Sequence, residues 1–138
     1  MPNYNFYQQA SEILNTFHTS LLEQDLERWL ELFEEEAVFE FPYAPVDFPK
    51  RLAGKAEIRA HMEGLPNLLK IDKFSSLNLY TDSNKSTIIA EYNCDGTATQ
   101  TGKPYMQTYI SVIELHDGKI KRFKDYWNPL IVLDSVQS

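Results

Sequence analysis

The sequence predicts an α+β fold in which helices pack on one face of a curved, mostly antiparallel sheet. Apolar residues recur at helical spacing early in the chain, and the later part breaks into four runs rich in β-branched and aromatic residues separated by turn signals. Helices gathered early and antiparallel strands late give a helix layer on a sheet layer. Such a curved sheet leaves a cavity between the two. With 138 residues and 43% hydrophobic content, residues 1–138 read as one domain that fills its own core.

Phe6, Ala10, Ile13, Phe17 and Leu21 mark the first helix. Leu26, Trp29, Leu30 and Phe33 repeat the pattern after Asp25, a suitable N-cap. Ala37 to Phe41 reads as a short strand, followed by a loop, Pro42 to Lys50, in which three prolines sit among aromatics. Lys55 to Gly64 is a third helix with Ile58, Met62 and Leu65 on its apolar face. Everything after it reads as sheet: Leu77 to Thr81, Thr87 to Thr97, Tyr105 to Leu115 and Lys119 to Trp127, with Asp117-Gly118 as the clearest hairpin turn.

Charge and composition remove several function classes. A formal net charge of -7 gives no basic footprint for a nucleic-acid backbone or an anionic membrane, so neither is an expected partner. The acidic run Glu31, Glu34, Glu35 and Glu36 reads as a solvated helix end before a strand. Met1 to Ala10 shows no basic or apolar leader pattern, and no continuous apolar stretch is long enough to span a bilayer. A single cysteine, Cys94, forms no internal disulfide and fits a reducing cytoplasm. His, Cys and carboxylate spacings match no metal site, and no glycine-rich phosphate loop or recognisable nucleophile is present, so no cofactor is expected. The 13% aromatic content hints at a pocket for a small apolar or aromatic ligand, or at a dimer face.

Three segments carry a resemblance: LELFEEEAVFEFP (Leu30 to Pro42), RLAGKAEIRAHM (Arg51 to Met62) and TYISVIELHDGKIKRFKDYWNPL (Thr108 to Leu130). They resemble the SnoaL-like branch of the nuclear transport factor 2-like superfamily, and the DGKI and DYWNP segments are most similar to phenazine biosynthesis A/B proteins. The resemblance implies a cone-shaped sheet with three helices on its concave side, and a homodimer paired through the sheet. The superfamily holds isomerases, polyketide cyclases, hydrolases and proteins that only bind, so activity must be argued from the site. The ketosteroid isomerase pattern implies a base where this chain has Phe41, a tyrosine where it has Phe17, and a protonated aspartate near Ser111. The phenazine pattern implies a functional His at His61 and a Glu where this chain has Met106.

His61 shares a helix face with Ile58, Met62 and Leu65 and so points into the apolar layer, either as a core histidine bonded to a carbonyl or carboxylate, or as an acid or base. Glu91 and Asp125 lie within strand runs. Asp125 alternates with Phe123 and Trp127, which suits either a raised pKa or an ion pair with Arg51, Arg122 or a neighbouring chain's Lys124. His61, Asp125 and Glu91 are the candidate catalytic residues. Phe17, Trp29, Phe41 and Tyr43 are candidate ligand contacts, as are Met62, Met106 and Trp127. Tyr43 and Phe48 sit in the proline loop, which is either a mouth over the cavity or a rigid packing segment. Two functions stay open: a cofactor-independent isomerase, cyclase or condensation enzyme for a carbonyl compound, or a dimeric carrier whose pocket is chemically silent.

Overall fold

The computed structural model describes residues 5–136, so the first residues of the Met1 to Ala10 segment lie outside it. Helix α1 (Phe6–Leu22) starts in a capping box: the Asn5 side chain accepts from Gln8 N at 2.8 Å, and the Gln8 side chain accepts from Asn5 N at 3.0 Å. Its inner face buries Ala10, Ile13, Leu14 and Phe17. Helix α2 (Leu26–Leu30) is capped by Asp25, as the sequence predicts, but stops three residues before Phe33.

Phe33 instead opens strand β1 (Phe33–Glu40), so Glu34, Glu35 and Glu36 of the acidic run lie in a strand, while Glu31 does stand at a helix end as the C-cap of α2. Tertiary pairing overrides the helical spacing here: Phe33 pairs with Ile120 and Phe39 with Phe123 on strand β7 (Lys119–Trp127). Helix α3 (Lys55–Gly64) has the predicted bounds. Three elements escape the periodicity reading. Strands β2 (Arg51–Ala53) and β3 (Leu69–Phe74) are short and half exposed, and α4 (Pro129–Val136) is a helix where only sheet was expected. Among the described residues the fold therefore has four α-helices, one more than predicted.

Among the described residues seven strands form one mixed sheet in the order β2-β1-β7-β6-β5-β3, with β7 and β6 (Pro104–His116) at its centre and β4 (Asn78–Asp82) also on β5 (Thr87–Ala98). All pairings are antiparallel except β1 with β7. Asp117 (φ 50°) and Gly118 (φ 78°) both take the left-handed backbone of a tight hairpin turn between β6 and β7. No helix among the described residues is long and apolar enough to cross a membrane.

The core is an aromatic stack. Phe123, fully buried on β7, lies between Phe17 of α1 (4.9 Å between centroids) and Phe39 of β1 (4.5 Å), each at 9° to it. Trp29 and Phe33 pack at 4.5 Å beside this stack. At the far side of the sheet β5 and β3 come close at Gly96, where a Cβ would stand 2.6 Å from the Lys70 carbonyl oxygen.

These two places should respond differently to substitution. Phe123→Ala removes the middle ring and is expected to cost about 3–5 kcal/mol in denaturant unfolding. Gly96→Ala is expected to cost about 1–3 kcal/mol by pushing β3 away. An unchanged unfolding midpoint for Gly96→Ala would show that β3 is not held there by close approach.

Candidate functional site

Where the stack ends, a cavity of about 180 Å³ begins between the sheet and the helices. This exceeds the 150 Å³ or so of an engineered apolar cavity that takes up benzene, and suits a molecule of one or two rings. Its walls are mainly aromatic: Phe17, Trp29 and Phe39 at the core end, and Phe41, Phe48 and Trp127 nearer the loop. Val132 and Ser135 of α4 complete the lining. The helix absent from the sequence reading therefore forms part of the wall. Its apolar run Leu130 to Leu133 after Asn128-Pro129 was the available signal, since proline suits a first helical turn.

Strand parity decides which candidates reach this cavity. Asp125 stands two residues beyond Phe123 on the inward face of β7, 9% exposed, and lines the cavity with Trp127. Among the described residues it forms no ion pair: Arg122 is on the opposite face of β7, where it meets Glu40 at 2.6 Å and Glu114 at 3.9 Å. Its one hydrogen bond comes from Ser111, directly across on β6, whose Oγ donates to Oδ1 at 3.2 Å. Since that hydroxyl has only one proton, Tyr92 must donate to Ser111 Oγ, 2.9 Å away. Desolvation outweighs this hydrogen bond and pushes the Asp125 carboxyl up to about 8, so it is mostly neutral at pH 7. The position near which the isomerase pattern places an aspartate is thus a serine that bonds an aspartate on the next strand.

His61 enters the same cavity from α3, with Phe41 beside it at 5.4 Å. Among the described residues it takes no hydrogen bond and no ion pair, which leaves both ring nitrogens to the cavity or to solvent. Burial lowers its pKa, so the imidazole is neutral at pH 7. Phe17, Trp29, Phe41 and Met62 also line the cavity. Trp29 offers its ring there, while its Nε1 is buried with no hydrogen-bond partner among the described residues.

Three predicted residues lie elsewhere. Glu91 points to the outer face of β5 and accepts from Tyr80 Oη at 3.2 Å. Met106 is on the outer face of β6 and 53% exposed, because Tyr105, Gln107 and Tyr109 take the inward positions. Tyr43 is 61% exposed and packs against Tyr126 at 5.2 Å, while Phe48 of the same loop turns inward. The sequence reading in turn gave no site role to Tyr92, Tyr105, Tyr109 or Phe74. The period-two alternation along β6 contained the signal for two of them, but sequence alone does not fix which face looks inward. His18 is also buried, stacked on Phe74 at 3.9 Å, and desolvation lowers its pKa to about 4.

The raised Asp125 pKa has a thermodynamic consequence. Below the ordinary value of 3.8 the carboxyl is neutral whether the chain is folded or unfolded. Between there and about 8 the unfolded chain releases its proton while the folded chain keeps it, so stability falls as pH rises and levels off above about 8. His18 acts in the opposite sense, contributing stability above about 6.5 that is lost as pH falls toward about 4, so a paired comparison is needed. Asp125→Asn is expected to gain on the wild type as pH rises from 4 to 8, by a few kcal/mol in urea unfolding. Parallel pH profiles for the two proteins would show an ionised Asp125.

Known proteins resemble this chain in sequence and fold. The SnoaL-like domain profile matches residues 14–123. An uncharacterized PhzA/B-like protein of Pseudomonas aeruginosa, PA3332, is 38% identical over 127 residues, which cover 92% of this chain and 89% of that protein. A Bacillus subtilis crystal structure, provisionally described as an isomerase, is 46% identical and superposes with a TM-score of 0.91 over 95% of this chain and 94% of that one. A Pseudomonas putida structure, provisionally described as a polyketide cyclase, shares the fold at 21% identity, with a TM-score of 0.79 over 93% of this chain and 98% of that one. With its curved seven-stranded sheet and four helices, the chain belongs to the SnoaL-like domain family, of the nuclear transport factor 2-like fold.

Proposed function

We propose that this protein is a cofactor-independent acid–base enzyme, an isomerase or cyclase acting on a small, largely apolar carbonyl compound. One observation carries the reading: a neutral carboxyl, Asp125, and a neutral imidazole without a protein partner, His61, line one aromatic cavity, with burial moving their pKa values in opposite directions. The provisional isomerase description of the Bacillus subtilis relative agrees with it.

In this reading the substrate carbonyl oxygen accepts the Asp125 proton while His61 removes a proton from the adjacent carbon, giving an enol and an imidazolium. Return of the proton from His61 to a different carbon, with the enol O–H proton going back to Asp125, gives an isomer. Attack of the enol carbon on a second carbonyl, with the imidazolium of His61 protonating the new alkoxide and the enol O–H proton going back to Asp125, closes a ring. Tyr92 and Ser111 donate toward Asp125 and steady its conjugate base. No lysine or arginine lines the cavity, so the substrate's buried part is uncharged. The other reading, a silent carrier, needs neither titratable group.

We further infer a homodimer that covers the outer face of β6, where Met106 (53% exposed) and Ile110 (42%) stand in the open. A cytoplasmic location fits the single Cys94, a buried free thiol.

Exchange of the α-protons of 1-indanone in D2O, followed by NMR, tests the chemistry with a ketone of suitable size. The wild type is expected to accelerate exchange, most strongly at pH values where His61 is neutral and Asp125 protonated, with a decline above about 8. His61→Gln is expected to lose about 100-fold or more while its thermal midpoint stays within a few degrees of the wild type. Binding of indanone without accelerated exchange would favour the carrier, and a large loss of stability in His61→Gln would make His61 structural. Sedimentation of a monomer at micromolar concentration would remove the dimer.

A further inference from the structure

Beyond Asp125, the inward face of β6 brings three polar side chains together. Tyr105 Oη and Tyr109 Oη lie 3.2 Å apart, both residues line the cavity, and Gln107 sits between them on the strand, 1% exposed. The orientation of the Gln107 amide follows from its partners. Its Oε1 accepts from the backbone N–H of Asn128 and of Thr108, both at 3.0 Å. Its Nε2 therefore faces the other way, donating to the Asn128 carbonyl at 3.0 Å and toward Tyr105 Oη at 3.4 Å.

A count of protons gives the consequence. Two phenolic hydroxyls hold two protons, and the hydrogen bond between them uses one. Gln107 brings another donor and has no acceptor left, because its oxygen serves two backbone amides. Neither tyrosine has a further hydrogen-bond partner among the described residues. Whichever hydroxyl donates within the pair, one proton is left without a protein acceptor, beside a cavity.

We propose that the Tyr105–Tyr109 pair, polarised by Gln107, is a second donor site in the cavity that selects ligands carrying an oxygen acceptor, such as a ketone or ether, at that place. The inference rests on the cavity being the ligand site, as proposed above, but not on any acid–base role of Asp125 or His61. It deepens the substrate class: an uncharged ring compound with one oxygen facing Asp125 and an acceptor facing the tyrosines. Gln107 acts here as a positioning residue. It sets the polarity of the pair without touching the ligand.

Three probes of similar size separate the possibilities: indane, with no polar atom; 1-indanone, an acceptor only; and indole, a donor only. The chain has two tryptophans, Trp29 and Trp127, and both line the cavity, so tryptophan fluorescence reports binding. The wild type is expected to bind 1-indanone about tenfold more tightly than indane. Gln107→Glu supplies an acceptor to Tyr105, uses up the spare proton, and is expected to lower that ratio several-fold while improving indole relative to indane; any remainder is the preference due to the Asp125 proton. Should the buried glutamate unfold the chain, the double variant Tyr105→Phe/Tyr109→Phe removes both protons and is expected to lower the same ratio to a similar level. An indanone-to-indane ratio equal to that of the wild type in the folded variant or variants overturns the assignment. If none of the probes binds the wild type, the cavity reading fails and this inference with it; if they bind but α-proton exchange is not accelerated, only the enzymatic reading fails.

Discussion

The placement of Phe123 between Phe17 and Phe39 governs the rest of the molecule. The three rings lie nearly parallel, and they tie α1, β7 and β1 together at one end of the sheet. Because side chains on a strand alternate, fixing Phe123 inward also fixes Asp125 and Trp127 inward. Beyond the stack the helices and the curved sheet diverge. The first inward residue of β7 past the aromatic wedge is therefore a carboxyl with little water around it. Its high pKa results from where the close-packed core stops, and needs no charged neighbour.

The polar groups of the cavity are few, and those around Asp125 and Gln107 have defined proton positions. Ser111 gives its proton to Asp125 and takes one from Tyr92; Gln107 gives one toward Tyr105 and can take none back. Fixed donors in an aromatic surround act at a low local dielectric, where a hydrogen bond to a developing oxyanion is stronger than in water. The same surround makes full ionisation costly, which is why tyrosines 92, 105 and 109 are all raised. The cavity thus suits neutral reactants and proton shifts over short distances.

Much of this was legible in the sequence, with failures of definite physical kinds. The bounds of α3 and β7 and the Asp117-Gly118 turn followed from periodicity and turn chemistry. Strands β2 and β3 were missed because short, half-exposed strands bury too little to leave an apolar pattern, and Phe33 was assigned to a helix because spacing cannot register its partner Ile120. The errors at the site are errors of facing. Met106 and Gln107 are neighbours, and one residue of parity separates the outer surface from the cavity. Glu91 is opposite in facing to Tyr92 for the same reason. Tyr43 was grouped with Phe48, although the loop turns one ring out and the other in.

The tight approach at Gly96 bears on how this scaffold could be adapted to other ligands. With the Lys70 carbonyl against its Cα, the β3–β5 seam cannot carry a side chain at that point without shifting a wall strand. Phe17 and Trp29, at the opposite end, belong to the aromatic packing and cannot be trimmed without loosening the core. The adjustable side is the rim formed by Met62, Leu65 and Leu68, half-buried or exposed and outside the sheet. Selection for new ligands, in a laboratory or over evolutionary time, should accumulate changes along that rim and leave the sheet's chemistry in place.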